Sequence, residues 1–144
     1  MYKRWLTRGF PLPDDVIFTT EAPVGEVALI PSDQTYLLTR RLIALRPDVD
    51  RLRRRFLYWH LFRLKQNGFW EAFTHGSTVP RILKPDILDH IIPLPDSSEQ
   101  YAIAAVLDAH DARIRAEEVE LAKLRQVKRG LMDDLLTGRV RVGG

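Results

Sequence analysis

Pro95-Asp96-Ser97-Ser98-Glu99-Gln100-Tyr101-Ala102-Ile103 opens a run that continues without another proline to Thr137-Gly138. Its reading decides the fold. Pro93 and Pro95 block any helix before it, because proline lacks an amide donor and clashes with the preceding turn. Asp96 and Ser97 are N-cap residues, and Glu99 or Gln100 lies three positions on, the capping-box pattern. Alternating steps of four and three pass through Ile103, Leu107, His110, Ile114, Glu117, Leu121, Leu124, Lys128, Leu131 and Leu135. Seven of these ten positions are apolar. That period of 3.5 predicts a coiled-coil seam, on which polar residues set register or partner rather than add stability. From Ser97 to Leu136 the helix measures roughly 60 Å at 1.5 Å per residue. A chain of 144 residues cannot bury such a helix along its length. The seam therefore predicts a partner: another copy, another subunit, or the rest of a longer chain.

Outward from the helix, the remaining sequence has the makings of one small domain. The hydrophobic fraction of 45% supports a core. The absence of cysteine excludes a disulfide framework, a thiolate metal site and a catalytic thiol. Met1-Tyr2-Lys3-Arg4-Trp5 is basic but lacks the apolar run of a signal peptide, and no segment has the length of a membrane span. The expectation is a soluble cytoplasmic protein. The net charge is +3, unevenly spread: residues 1–96 hold 14 Lys+Arg against 11 Asp+Glu, and residues 97–138 hold 6 against 8. The front cations are mostly arginine, which suits bidentate contact with phosphate and guanine.

Asp14-Asp15 predicts a turn before the β-branched run Val16 to Thr20, which reads as a strand. Glu21-Ala22-Pro23-Val24-Gly25 is a turn and Glu26 to Ile30 a second strand. Thr35 to Leu38 and Leu42 to Leu45 read as two short strands or one bent strand. Asp50 to about Asn67 reads as a helix capped by Asp48 or Asp50, with Leu52, Phe56, Trp59, His60 and Arg63 near one stripe and Leu57, Leu61 and Leu64 widening it. Arg51, Arg53, Arg54 and Arg55 crowd its first turn, where cations oppose the helix dipole. Phe69 to Phe73 adds a further helical turn, Lys84 to Leu88 another, and Ile91 to Leu94 a final edge strand. The tail from Arg139 to Val142 reads as a short extended piece.

Local spacing offers no catalytic apparatus. His60, His75, His90 and His110 form no metal-binding pair, and neither a P-loop nor a GxGxxG or GxSxG turn occurs. Asp133 and Asp134 point apart on a helix and make no acid/base dyad. Two polar loops are candidates for reading base edges. Thr19-Thr20-Glu21 offers hydroxyls and a carboxylate that can accept from cytosine, and Ser77-Thr78 with Arg81 offers hydroxyls and a guanidinium fork. Arg40, Arg41 and Lys84 complete the candidate DNA-contacting set.

Together these pieces resemble type I restriction–modification specificity subunits. Asp15-Val16-Ile17-Phe18-Thr19-Thr20-Glu21-Ala22-Pro23-Val24-Gly25 is similar to their "GD-hydrophobic-F-T-x-x-A-P-x-G" strand and turn. His75-Gly76-Ser77-Thr78-Val79-Pro80-Arg81-Ile82 resembles their "GSTxxxI" stretch. Pro93-Leu94-Pro95 with Glu99-Gln100, Ile103 and Leu107 resembles the start of the family's conserved helix, and Leu131 to Val140 its "LLTG" end. The resemblance implies a non-catalytic subunit that reads one half of a bipartite double-stranded DNA site. It implies recruitment of a methyltransferase subunit, which holds the S-adenosylmethionine, and through it a restriction subunit. The subunit itself needs no cofactor. Asp14-Asp15 departs from the family's Gly-Asp, and the front is shorter than the family's usual recognition domain, which predicts a half-size or truncated subunit.

The expected fold is α+β: a target recognition domain over residues 1–95 that mixes sheet and helix, one long coiled-coil helix over 96–138, and a tail over 139–144. The expected dimerisation residues are Ile103, Leu107, His110, Ile114, Leu121, Leu124, Leu131 and Leu135, giving an antiparallel homodimer. The competing expectation is a module that docks on modification subunits without reading DNA.

Overall fold

The computed structural model describes residues 10–33, 35–76 and 78–143. Three short strands, β1 (Val16–Thr19), β2 (Val27–Leu29) and β3 (Leu42–Leu45), form an antiparallel sheet in the order β2-β1-β3. Three α-helices follow: α1 (Arg54–Gln66), α2 (Lys84–Leu88) and α3 (Ser97–Leu136), with a 3-10 helix at Phe69–Phe73 between the first two. By packing, the chain divides into two compact units, one ending at Ala104 and the other beginning at Ala105.

The first unit is built around β1. Val16, Ile17 and Phe18 are all buried, as suits a central strand. Phe18 meets the fully buried Trp70 edge-on, ring centroids 5.0 Å apart. Helix α1 supplies Leu57, Leu61 and Leu64, spaced four and three apart on one face. Ile82 and Ile87 complete the cluster. The buried line of α1 thus joins Phe56, from the expected stripe, to the leucine set expected at its margin; Trp59 is half-buried and Arg63 exposed.

Two turns require unusual backbone. Gly25 has φ +79, and a Cβ there would stand 2.8 Å from Trp70 Cδ1. Asp14 has φ 65 in the turn that leads into β1. Left-handed backbone is cheap for glycine and tolerated by aspartate. The family pattern therefore has glycine at a position where this chain manages with aspartate.

Several expected elements differ. Residues 35–38 form no strand, and neither do Ile91 to Leu94. Pro93 has no amide to give a ladder, and Ile91 is 86% exposed while Ile92 packs on the core. Helix α1 begins at Arg54, not Asp50, because Asp48 closes a separate turn with the amides of Arg51 and Leu52. Residues 141–143 carry no regular structure. At Gly138, φ +74, the long helix ends where the sequence places its stop.

The start of α3 is anchored by two side chains. Asp96 Oδ1 accepts the amides of Ser98 and Glu99, both at 2.9 Å, and so caps the helix. These bonds, led by the Ser98 hydroxyl, hold the Asp96 carboxyl below the usual carboxylate range. Gln100, 1% exposed, does not turn back to the cap. Its Oε1 accepts the Arg53 amide at 2.9 Å, and its Nε2 donates to the carbonyls of Arg51 at 3.0 Å and Pro95 at 2.9 Å. One buried amide thus satisfies a free donor at the start of α1 and fastens α3 to it. The arginine-rich first turn of α1 has no acidic residue and no side-chain cap of its own. Arg53 instead directs its guanidinium to the Ser97 hydroxyl.

Candidate nucleic-acid interface

Where β1 ends, its chain continues between the start of β3 and the loop before α2. The Thr20 amide and hydroxyl both donate to the Arg41 carbonyl, at 2.8 and 3.1 Å. On the other side the Ile82 amide donates to the Thr20 carbonyl at 2.9 Å. Glu21 lies opposite Arg81 in an antiparallel bridge, and Arg81 in turn pairs with His75 through reciprocal backbone bonds of 2.8 and 3.1 Å. The Glu21 carboxylate meets Arg41 Nε at 3.3 Å. His75 Nε2 lies 3.3 Å from Asp86 Oδ2, and the same oxygen accepts the Leu83 amide. Backbone bonds thus hold Thr20, Glu21, Arg41 and Arg81 at one rim.

Arg40 and Lys84 line the same groove as Thr20, Glu21 and Arg81, a depression of about 1200 Å3. Thr78 is exposed on the loop before Arg81, and Ser77 lies outside the described residues. Thr19 has a different position. Its hydroxyl donates to the Pro23 carbonyl and accepts the Glu26 amide, so it staples the β1–β2 turn. The residues of this rim come from three stretches about twenty and forty residues apart, and no local motif announces their meeting. The rim can contact phosphate through arginine and lysine, and base edges through Thr20, Glu21 and Arg81.

Two further clusters escaped the sequence reading. Asp15, fully buried, is held by Arg46 through two bonds of 2.8 and 2.6 Å and by the Leu12 amide at 2.8 Å. The Arg46 hydrogen bonds keep its carboxyl below the usual range despite burial. His60 and His90 bring their Nε2 atoms to 3.0 Å. Burial, then the neighbouring His90 and Arg63 charges, push His60 below its ordinary value, and burial does the same to His90. Their separation of thirty residues left no spacing signal. Among the described residues no three His, Cys, Asp or Glu gather as a metal-binding group, and no helix is long and apolar enough to cross a membrane.

In the second unit the seam is uncovered. Leu107, Ile114, Leu121, Leu124, Leu131 and Leu135 are 38–57% exposed, His110 is exposed, and Ile103 in the first unit is half-buried. Ion pairs Arg115–Asp111, Arg113–Glu117 and Lys123–Glu120 lie along the helix surface. The described residues thus make a small α+β domain with a polar, cationic rim and a long helix with an uncovered apolar seam. The chain belongs to the type I restriction modification DNA specificity domain family, whose model matches residues 8–126.

Relatives agree. The chain is 30% identical over 129 residues to a putative type I restriction enzyme MjaX specificity subunit of Methanocaldococcus jannaschii, covering 90% of this chain and 29% of that one. It is 34% identical over 86 residues to the EcoDI specificity subunit of Escherichia coli, covering 57% and 18%. In structure it resembles the HsdS subunit of Thermoanaerobacter tengcongensis, with a TM-score of 0.61, 28% identity, and coverage of 87% and 30%. A chain from a study of assembly and conformational transition in the type I R-M system gives a TM-score of 0.67 at 28% identity, covering 90% and 32%. The chain spans less than a third of the length of each of these proteins.

Proposed function

We propose that this chain reads one half of a bipartite DNA site and positions a methyltransferase subunit there, without catalysis of its own. The observation that carries the reading is the joining of Thr20, Glu21, Arg41 and Arg81 at one rim that also holds Arg40 and Lys84. Glu21 is the candidate acceptor for an exocyclic amine, Arg81 the candidate fork for guanine, and Arg40 and Lys84 the phosphate contacts. S-adenosylmethionine belongs to the methyltransferase, and the restriction subunit joins through it. The setting is the cytoplasm. The exposed seam of α3 pairs antiparallel with a like helix, and a twofold homodimer reads an inverted repeat.

The test is selection from a randomised duplex library, with the methyltransferase subunit present. The expected result is enrichment of a two-part site. Arg81→Ala relaxes the preference at one position, and Lys84→Ala weakens binding to all sequences while lowering the salt slope by about 1. Sequence-blind or salt-insensitive binding overturns the reading.

A further inference from the structure

Glu117 and Lys128 interrupt the apolar seam of α3, and both are exposed. Between them lie Leu121 and Leu124, 46% and 56% exposed. The seam has a symmetry about the midpoint between Ala122 and Lys123. Counted outward from there, its positions recur at equal distances in both directions: Leu121 and Leu124, then Glu117 and Lys128, then Ile114 and Leu131, then His110 and Leu135. A second helix laid antiparallel about a twofold axis at that midpoint sets every one of these positions on a seam position of the other copy. Leucine then meets leucine, isoleucine meets leucine, and each acid meets a base. Beside the seam, Glu118 falls next to Arg125 of the second copy.

Other arrangements lose this match. Parallel pairing in register sets Glu117 on Glu117 and Lys128 on Lys128. Antiparallel pairing slipped by one heptad sets Lys128 on Leu124 or on His110, and brings Arg125 onto Arg125 or Glu118 onto Glu118. Like charges so placed work against association. Within its own helix Glu117 meets Arg113 Nε at 4.0 Å, with the two side chains 73% and 79% exposed. An exposed pair at that distance is worth little, so Glu117 can turn to a second copy.

We propose that Glu117 and Lys128 fix the direction and register in which two copies of this chain join, each Glu117 facing Lys128 of the other copy across an axis between Leu121 and Leu124. The assignment rests on the antiparallel pairing proposed above and adds its register and the residues that set it. Because α3 stops at Leu136, the paired stretch runs from His110 to Leu135, roughly 39 Å at 1.5 Å per residue. The leucines supply the attraction; the charged layers select the partner and its alignment.

The test is a charge swap on the whole chain without DNA, with the dissociation constant read by sedimentation. Glu117→Lys and Lys128→Glu each place like charges in two layers and should weaken the dimer about tenfold or more. The double swap restores it, and an equimolar mixture of the two single variants forms a mixed dimer. The chain has no cysteine, so cross-linking reads the register directly. Ile114→Cys with Leu131→Cys should give a covalent dimer under oxidation, because within one helix the two positions stand too far apart for a disulfide. Either cysteine alone should give none. Circular dichroism checks that every variant is folded. A dimeric parent whose association ignores both single swaps, or whose Leu131→Cys variant cross-links alone, overturns the register and leaves the pairing. A monomeric parent at micromolar concentration overturns both.

Discussion

Position 14 carries a cost that its neighbours do not. Asp14 sits at φ 65, where a β-branched side chain is strained. Asp14→Val should lose about 1–2 kcal/mol in a urea titration, whereas Asp14→Gly should not destabilise. At Gly25 two penalties coincide, positive φ and a Cβ against the Trp70 ring. Gly25→Ala should cost about 2–4 kcal/mol by the same measurement; a change near zero would mean that Trp70 can retreat. The histidine pair sets a pH dependence. Both groups are held below 6.5, so the folded chain binds fewer protons than the unfolded one. Their stabilisation is fully present above about pH 6.5 and is lost as pH falls through the depressed values. Urea midpoints should drop between pH 7.5 and 5, and His90→Gln should flatten the drop. A midpoint constant over that range would sink this assignment. Asp15 acts in a lower window: its stabilisation is present above 3.8 and lost as pH falls through its lowered value.

At the scale of elements, what was legible followed from local pattern. The β-branched run at Val16, the glycine stop at Gly138 and the long apolar period all specify their structure within a few residues. Ile91 to Leu94 has strand composition too, yet a strand exists only where a neighbour offers a ladder, and that depends on the whole sheet. The same holds within the candidate site. Thr20, Glu21 and Arg81 were named from polar loops, but their shared rim arises from bridges across sixty residues of chain. Thr19 shows the opposite outcome, for a hydroxyl in a turn often serves the turn itself. Gln100 was legible as a helix-start residue and illegible as a brace between helices, because the Arg53 amide it accepts and the Arg51 carbonyl it donates to lie some fifty positions back. Gln100→Leu leaves the Arg53 amide and the Arg51 carbonyl without their buried partner. It should destabilise the chain by about 2–3 kcal/mol, while Glu99→Leu at the exposed neighbour stays within about 0.5 kcal/mol. Equal effects at the two positions would refute the brace.

At the scale of the whole molecule, the seam is a long uncovered apolar stripe, and it argues for assembly. Leu121→Glu combined with Leu124→Glu places charge at two adjacent seam positions. The solution mass measured by light scattering should fall from dimer to monomer at micromolar concentration. A parent chain already monomeric at that concentration would contradict homotypic pairing. The short sheet brings a different demand. An unpaired edge such as β3 is a template for uncontrolled aggregation. Arg40, Arg41 and Arg46 at its ends, and Pro47 just beyond, are the residues by which natural sheets discourage like edges from joining. Four residues of strand leave little to template. Arg40 and Arg41 therefore guard this edge, and replacing both with neutral residues should favour precipitation through the sheet edge, read as turbidity on concentration.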